Sequence, residues 1–388
     1  MDSPPSPAAS PSPHAVRVGF IPLVDCAVPV VAAERGFAAA EGLDLHLSRE
    51  ASWAAVRDKV AFGGLDCAHM LAGMPIAATL GIGQVTVPMV APLALGLGGN
   101  AITVSADLHE AMRRADPEAM AGPPGHAARA LKAVIAARRA RGLDPLVFAM
   151  VFPVSSHNYE LRCWMAAAGI DPDADVQLVV VPPPRMVEAL EAGRIAGFCV
   201  GEPWNQVAVD MGLGRIVATK ADIWPASPEK VLGLRADWAA ANPGTVAALV
   251  RACVRAAVWA DRPENRAELA ELLAEDRFVG APARLIAAAV ADSHVFHRSA
   301  ATFPWVSQAD WVIAQMRRWG QLSPGMPSDS CAARVFRPDL YRAALAGTGL
   351  PVPRHDRKEE GAHAHGYTVE GTGGEAIPMA ADRWLAVA

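Results

Sequence analysis

The first sixteen residues contain no lysine or arginine; the earliest basic side chain is Arg17. A secretory signal needs a basic start, an apolar stretch and a small-residue cleavage site. None of the three is present, so the sequence predicts a cytoplasmic protein behind a Pro/Ser-rich leader. Long hydrophobic runs are missing too. The first one, Val16 to Ala33, is interrupted by Arg17, Pro22, Asp25 and Pro29, and no uncharged apolar stretch reaches the ~18 residues of a membrane span. The six cysteines are scattered, and the nearest pair, Cys163 and Cys199, lies 36 residues apart. That spacing excludes a CxxC zinc or redox motif and predicts reduced cysteines packed among apolar neighbours.

Catalytic signatures are absent as well. There is no GxSxG, GxxxxGK[ST] or HExxH, and the glycine-rich run Gly96-Leu97-Gly98-Gly99-Asn100 precedes a strand rather than opening a helix, so it is not a dinucleotide loop. His363 and His365 form a close pair in a polar tail, where solvated histidines are the ordinary reading. No enzyme, cofactor or metal is therefore expected. Neither is nucleic-acid binding by the chain as a whole, because 35 Lys and Arg against 40 Asp and Glu leave a net charge of −5 without a dense basic run.

What the chain has is apolar substance and rhythm. Hydrophobic residues make up 52% of 388, enough for a large core divided into two or three domains. Val16 to Phe20 alternates like a strand, Pro29 to Phe37 suits a helix closed by Gly36, and Ser52 reads as the cap of a helix carrying Trp53, Val56 and Val60. In the middle third, strand candidates at 146–152, 178–181, 196–200 and 215–219 alternate with helices at 157–168, 184–192 and 203–211. Leu161, Trp164, Met165 and Ala168 form one buried stripe of the first of these helices. Such alternation predicts an α/β fold with a mainly parallel sheet covered by helices. From 236 to about 346 the pattern is helical, and residues 354–374 look like a loose polar excursion.

The economical packing has a leader at 1–15, a first lobe built from 16–105 and 229–353, a second lobe at 106–228 and a tail at 354–388. Crossings near Thr103 and Glu229 would act as the hinge. Ligands of open α/β sheets bind at the carboxyl ends of strands, so the site belongs between the lobes. Several loops at strand ends carry donors: Trp53 with Arg57, Gly99-Asn100, Ser155 to Asn158, Pro182 to Pro184, Gly201-Glu202-Pro203-Trp204 and Glu229-Lys230. Singly each has a plain reading, a core indole, a satisfied histidine or a helix cap by Glu202. Together, polar donors placed at strand ends on both lobes are harder to dismiss.

Six stretches carry a resemblance. They are Gly19-Phe-Ile-Pro-Leu-Val-Asp-Cys, Ser48 to Val60, Ala68-His-Met-Leu, Pro182-Pro-Pro-Arg-Met-Val, Gly197-Phe-Cys-Val-Gly-Glu-Pro-Trp-Asn and Ser227-Pro-Glu-Lys. Together they resemble the nitrate/bicarbonate-binding receptors, and most closely the cytosolic nitrate/nitrite-sensing branch of NasS type. The resemblance spans roughly residues 16–350. It implies a type II periplasmic-binding-protein clamshell that binds nitrate or nitrite and controls an RNA-binding antiterminator of the ANTAR class (NasT-like). By the same resemblance the anion contacts fall on Trp53, Asn100, His157 and Lys230, with Pro184 and Glu202 shaping the pocket wall. The alternatives are the solute-binding component of a nitrate ABC transporter with a mis-assigned start and, from another class, an enzyme like those of thiamine-pyrimidine synthesis, whose Cys-clustered iron pattern is missing here.

The chemistry suits those residues. Nitrate accepts hydrogen bonds and has no proton to give, so its site should offer donors only: the Lys230 ammonium, a His157 ring N–H, the Trp53 indole N–H and the Asn100 amide NH₂. Bicarbonate carries an O–H and needs an acceptor or a bound cation. A lysine instead of a glutamate at position 230 therefore favours nitrate or nitrite.

Overall fold

The computed structural model describes residues 14–385 apart from 324, 327 and 329. The predicted leader lies outside the described residues as far as residue 13. The chain begins with β1 (His14–Phe20), β2 (Leu43–Arg49), β3 (Cys67–Leu71) and β4 (Met89–Ala94). Next come β5 (Leu97–Gly98) and β6 (Asn100–Ser105), followed by β7 (Leu146–Met150), β8 (Val176–Val180), β9 (Gly197–Gly201) and β10 (Gly214–Thr219). Then β11 (Lys230–Arg235) returns to the first sheet.

Two five-stranded sheets result, ordered β2-β1-β3-β11-β4 and β10-β6-β9-β7-β8. The expectation of a mainly parallel sheet needs correction, because both sheets are mixed. β1 runs parallel to β2 and β3, and β7 runs parallel to β8 and β9. β11 is antiparallel to β3 and β4, and β6 is antiparallel to β9 and β10. The reason is the crossing itself. β6 and β11 are the strands by which the chain enters each lobe, so they start at the cleft where their neighbours end. Asn100 pairs with Gly201 at the end of β9, and Lys230 pairs with Leu71 at the end of β3.

The first crossing is residues 95–99 rather than the vicinity of Thr103, which sits inside β6; residues 100–105 thus join the second sheet. Gly98 there has φ of +89°, and a side chain on it would collide with the Ser293 carbonyl. This close backbone approach is one that only glycine permits.

Helix starts follow the local chemistry. Ser52 caps the helix Trp53–Ala61 by accepting from the Ala55 N–H at 3.2 Å, and Ser155 caps Ser156–Ala167 through the Asn158 N–H at 3.1 Å. The predicted helix at 184–192 begins instead as a 3-10 turn, Pro183–Arg185, and becomes α-helical over Met186–Glu191. Pro29 lies inside the first helix, Ala27–Glu34, within its first turn. Beyond β11 the chain is helical as the periodicity implies, and Val246, Leu249, Val250, Cys253 and Ala257 are buried on the long helix Pro243–Ala260. All six cysteines are buried and free. Among the described residues no helix is long and apolar enough to cross a membrane.

The tail is not a loose excursion. After the short β12 (His294–Val295), the strands β13 (Ala362–His363), β14 (Tyr367–Glu370), β15 (Ala376–Met379) and β16 (Asp382–Arg383) pair as β13 with β16 and β14 with β15. The glycines that look like disorder in the sequence form the turn between β14 and β15, where the Gly371 N–H reaches the Glu375 carbonyl at 2.7 Å. Ile377 and Met379 alternate inward and join the core of the first lobe.

Candidate functional site

Eleven polar or charged side chains lie buried where the two sheets face each other. Each comes from a strand end, the first two turns of a helix or a turn or loop beside one, except His69, which sits within β3. Asp25 lies in the 3-10 turn Val24–Cys26 after β1, and Trp53 opens its helix. Asn100 and Lys230 begin β6 and β11; Ser156, His157 and Glu160 occupy the start of the helix Ser156–Ala167; Lys220 begins Lys220–Ile223, with Ser227 and Glu229 just before β11.

Glu229 is the centre of the network. Its Oε2 accepts from Lys220 Nζ at 2.6 Å, from Asn100 Nδ2 at 2.6 Å and from the Ser156 hydroxyl; Oε1 pairs with Lys230 Nζ and lies 3.7 Å from His157 Nε2. On its other side Lys230 reaches Asp25 Oδ2 at 2.5 Å, and Asp25 Oδ1 is 2.9 Å from His69 Nε2. His69 Nδ1 faces the Ile21 N–H at 3.5 Å and so accepts, which leaves Nε2 to donate to Asp25. Glu160 accepts from Ser227 at 2.9 Å and from Asn100 Nδ2 at 3.0 Å. The Trp53 ring lies 5.9 Å from Lys230 Nζ and 5.3 Å from the His69 ring.

Burial alone would raise the carboxyls of Asp25 and Glu229. Lys230 and His69 beside the first, and Lys220 and Lys230 beside the second, outweigh it and hold both well below the usual carboxylate range. Burial works against the Lys230 charge, yet Asp25 and Glu229 raise its pKa above the ordinary lysine value. Burial lowers His157 to about 3, the attraction of Glu229 being opposed by Lys230 and Lys220.

In this cluster Trp53 Nε1, Asn100 Oδ1 and both ring nitrogens of His157 have no hydrogen-bond partner among the described residues, and Asp25 Oδ2 has only its ion pair with Lys230. Unsatisfied buried polar atoms are costly, and several of them converge in this one interlobe space.

Trp53, Asn100, His157 and Lys230 are thus brought together. Pro184 and Glu202 are placed elsewhere. Pro184 is half-buried in the 3-10 turn after β8. Glu202 is buried; its Oε2 accepts from the Gln206 N–H at 3.2 Å, and its peptide group ties Gly99 and Val24 at 2.7 and 2.9 Å, bracing the crossing. The donor-only picture also needs correction. The Asn100 NH₂ is engaged by two carboxylates, so the amide turns its oxygen to the free side, and the Lys230 charge is matched by two acids. His69, Glu160 and Lys220 are not among the residues singled out from the sequence, and Asp25 reads there as a turn residue that could touch ligand. Their signal was a charged or polar side chain within a fully buried stretch, as with His69 in Cys67–Leu71.

The model of the NMT1-like family matches residues 9–274. The chain belongs to that family. The nitrate/nitrite binding protein NrtA of Synechococcus elongatus is 34% identical over 375 residues, which cover 90% of this chain and 82% of NrtA. Two Synechocystis proteins, the nitrate import ATP-binding protein NrtC and the bicarbonate transport ATP-binding protein CmpC, are each 38% identical over 352 residues. The chain spans about half the length of each, 50%. The crystal structure of the periplasmic nitrate-binding protein NrtA from Synechocystis superposes with a TM-score of 0.80 at 27% identity, over 95% of this chain and 96% of that one. This NMT1-like chain therefore has the two-lobed periplasmic-binding-protein fold and is akin to the nitrate/bicarbonate receptors.

Proposed function

We propose that this protein binds nitrate or nitrite between its lobes in the cytoplasm, and that closure around the anion is read by a regulatory partner, an RNA-binding antiterminator of the ANTAR class. The observation that carries the anion reading is the unpartnered Trp53 indole N–H and His157 ring beside the buried Lys230 ammonium. Relatives that bind or import nitrate support the choice of ligand. The lysine at 230 supports it further, since a carboxylate there would repel a monoanion. The bicarbonate-transport relative makes bicarbonate the competitor to exclude, and Asn100 Oδ1 is an acceptor that its O–H would use.

The regulatory part rests on the resemblance of the sequence motifs to the cytosolic nitrate/nitrite-sensing branch. The second reading, the solute-binding component of a nitrate ABC transporter, is favoured by the match over 82% of NrtA.

Calorimetric titration with nitrate, nitrite, bicarbonate and sulfate in turn tests the ligand. Nitrate or nitrite should bind and sulfate should not; equal affinity for bicarbonate would overturn the assignment. The partner is tested by isolating the complex from cells and adding nitrate on a sizing column. Linkage requires that if nitrate weakens the complex, the complex weakens nitrate binding by the same factor. A complex that survives saturating nitrate, or no complex at all, would leave the transport receptor as the better account.

A further inference from the structure

The charges buried in the cleft do not balance. Asp25, Glu160 and Glu229 face Lys220 and Lys230, three carboxylates against two ammonium groups, a formal excess of one negative charge. Both oxygens of Glu160 and Glu229 receive donors or cations, as carboxylates do. A monoanion entering this space would double the excess in an interior that screens charge poorly. Some positive charge must enter with it.

His157 is the group placed to carry that charge. It is fully buried, with Nε2 3.7 Å from Glu229 Oε1 and neither ring nitrogen hydrogen-bonded. The charged groups facing it are Glu229 and Lys230 at the start of β11, Lys220 on the helix after β10 and Asp25 after β1. On its own helix Ser156 is engaged with Glu229, and Glu160 with Asn100 and Ser227. A neutral imidazole has one N–H and cannot serve both the Glu229 carboxylate and an anion; the imidazolium has two and can. Of the other buried histidines, His69 uses both nitrogens, on Ile21 and Asp25, while His294 uses Nδ1 on the Ala289 carbonyl and leaves Nε2, beside Gly99, without a hydrogen-bond partner among the described residues.

We propose that the cleft takes up its monoanion together with one proton, held on His157 between Glu229 and the anion. This rests on the anion-binding reading above. In the free protein burial and the two lysines keep the ring neutral, at about 3; the anion adds negative charge opposite those lysines and raises it. Affinity then increases as pH falls, towards a limit of about tenfold per unit, over the window between the free and the bound values.

The test is calorimetry of the full chain with nitrate, which stays ionised throughout, from pH 5 to 8.5 in two buffers of different ionisation heat. Proton uptake approaching one per nitrate at the acid end, and a Kd that weakens as pH rises, are expected. His157→Gln keeps an N–H donor without a titrating group, and should bind nitrate with a flat pH profile. Because that variant alters the cleft, nitrogen-15 shifts of the His157 ring in the wild type, with and without nitrate, report the protonation directly. Binding without proton uptake, a ring that stays neutral, or an unchanged slope in His157→Gln would each overturn the proposal while leaving the anion site standing. A requirement for added divalent cation in place of the proton would overturn it too. No binding of nitrate or nitrite at any pH would instead overturn the anion reading itself.

Discussion

Trp53 and Lys230 lie close together in the cleft but are held there by different forces, so they should respond differently to substitution. Trp53 packs its ring against His69 and leaves its N–H unpartnered. Trp53→Phe removes one donor and little packing. Nitrate affinity should fall by roughly 1.5–3 kcal/mol, the range for a hydrogen bond to a charged group, with a small change in thermal midpoint. Lys230 is bound into the fold by Asp25 and Glu229. Lys230→Met should abolish anion binding and also cost about 3–5 kcal/mol of stability, because two buried carboxylates lose their partner. Calorimetry and urea denaturation on the same samples separate the two effects; a Lys230→Met protein with wild-type stability would show that the acids find other partners.

Among the elements, the tail is the one whose role the structure changes most. Asp356 accepts the Val306 N–H at 2.9 Å and pairs with Arg342 at 2.6 Å, anchoring the tail to the first lobe. At its far end Leu385 donates to the Ile223 carbonyl at 2.7 Å, next to the core of the second lobe. Trp224, Trp311 and Trp384 pack with ring centroids 5.0–5.6 Å apart at this junction. Asp382 joins the parts, accepting from Trp224 Nε1 and pairing with Lys358 at 3.0 Å. The tail thus straps one lobe to the other. Asp382→Ala should lower stability by about 3–5 kcal/mol, because the buried Lys358 loses one of its acids. Urea denaturation measures the loss, and a change below ~1 kcal/mol would mean that the strap is dispensable.

For the whole molecule, pH and ligand act on stability through the same cluster. His157 is lowered from its ordinary value to about 3, so between roughly pH 6.5 and 3 the unfolded chain binds this proton and the free native chain does not. Stability of the free protein therefore falls as pH drops through that window, by up to about 1.4 kcal/mol per unit from this group. Asp25 and Glu229 are also depressed, and their contribution is present above the ordinary carboxylate range and lost below it. Thermal melts should give a lower midpoint at pH 5 than at pH 7.5 without ligand. At a hundredfold excess over Kd, nitrate should add about 2.7 kcal/mol and raise the midpoint, with sulfate leaving it unchanged. A midpoint that rises on acidification to pH 5 would contradict a neutral buried His157.

The sequence by itself determined the α/β class, the strand and helix positions of the middle third, the helix cap at Ser52, and the concentration of donors at strand ends. These are local properties: side-chain period, capping and turn chemistry act over a few residues and can be read without knowing the partners. Family membership was legible for the same reason, through contiguous motifs. Tertiary structure alone decided that β6 and β11 run against their neighbours, because direction depends on where the chain crosses between lobes. It also ordered the tail, whose short strands gain stability only from Ile377, Met379 and Asp382 being buried by distant segments. Above all it decided the charge state of the site. Lys230 reads as a free cation in the sequence; in the fold, Asp25 and Glu229 converge on it, and Asn100 turns its amide towards Glu160 and Glu229. Coulomb energy depends on separation in space, and no spacing along the chain specifies it.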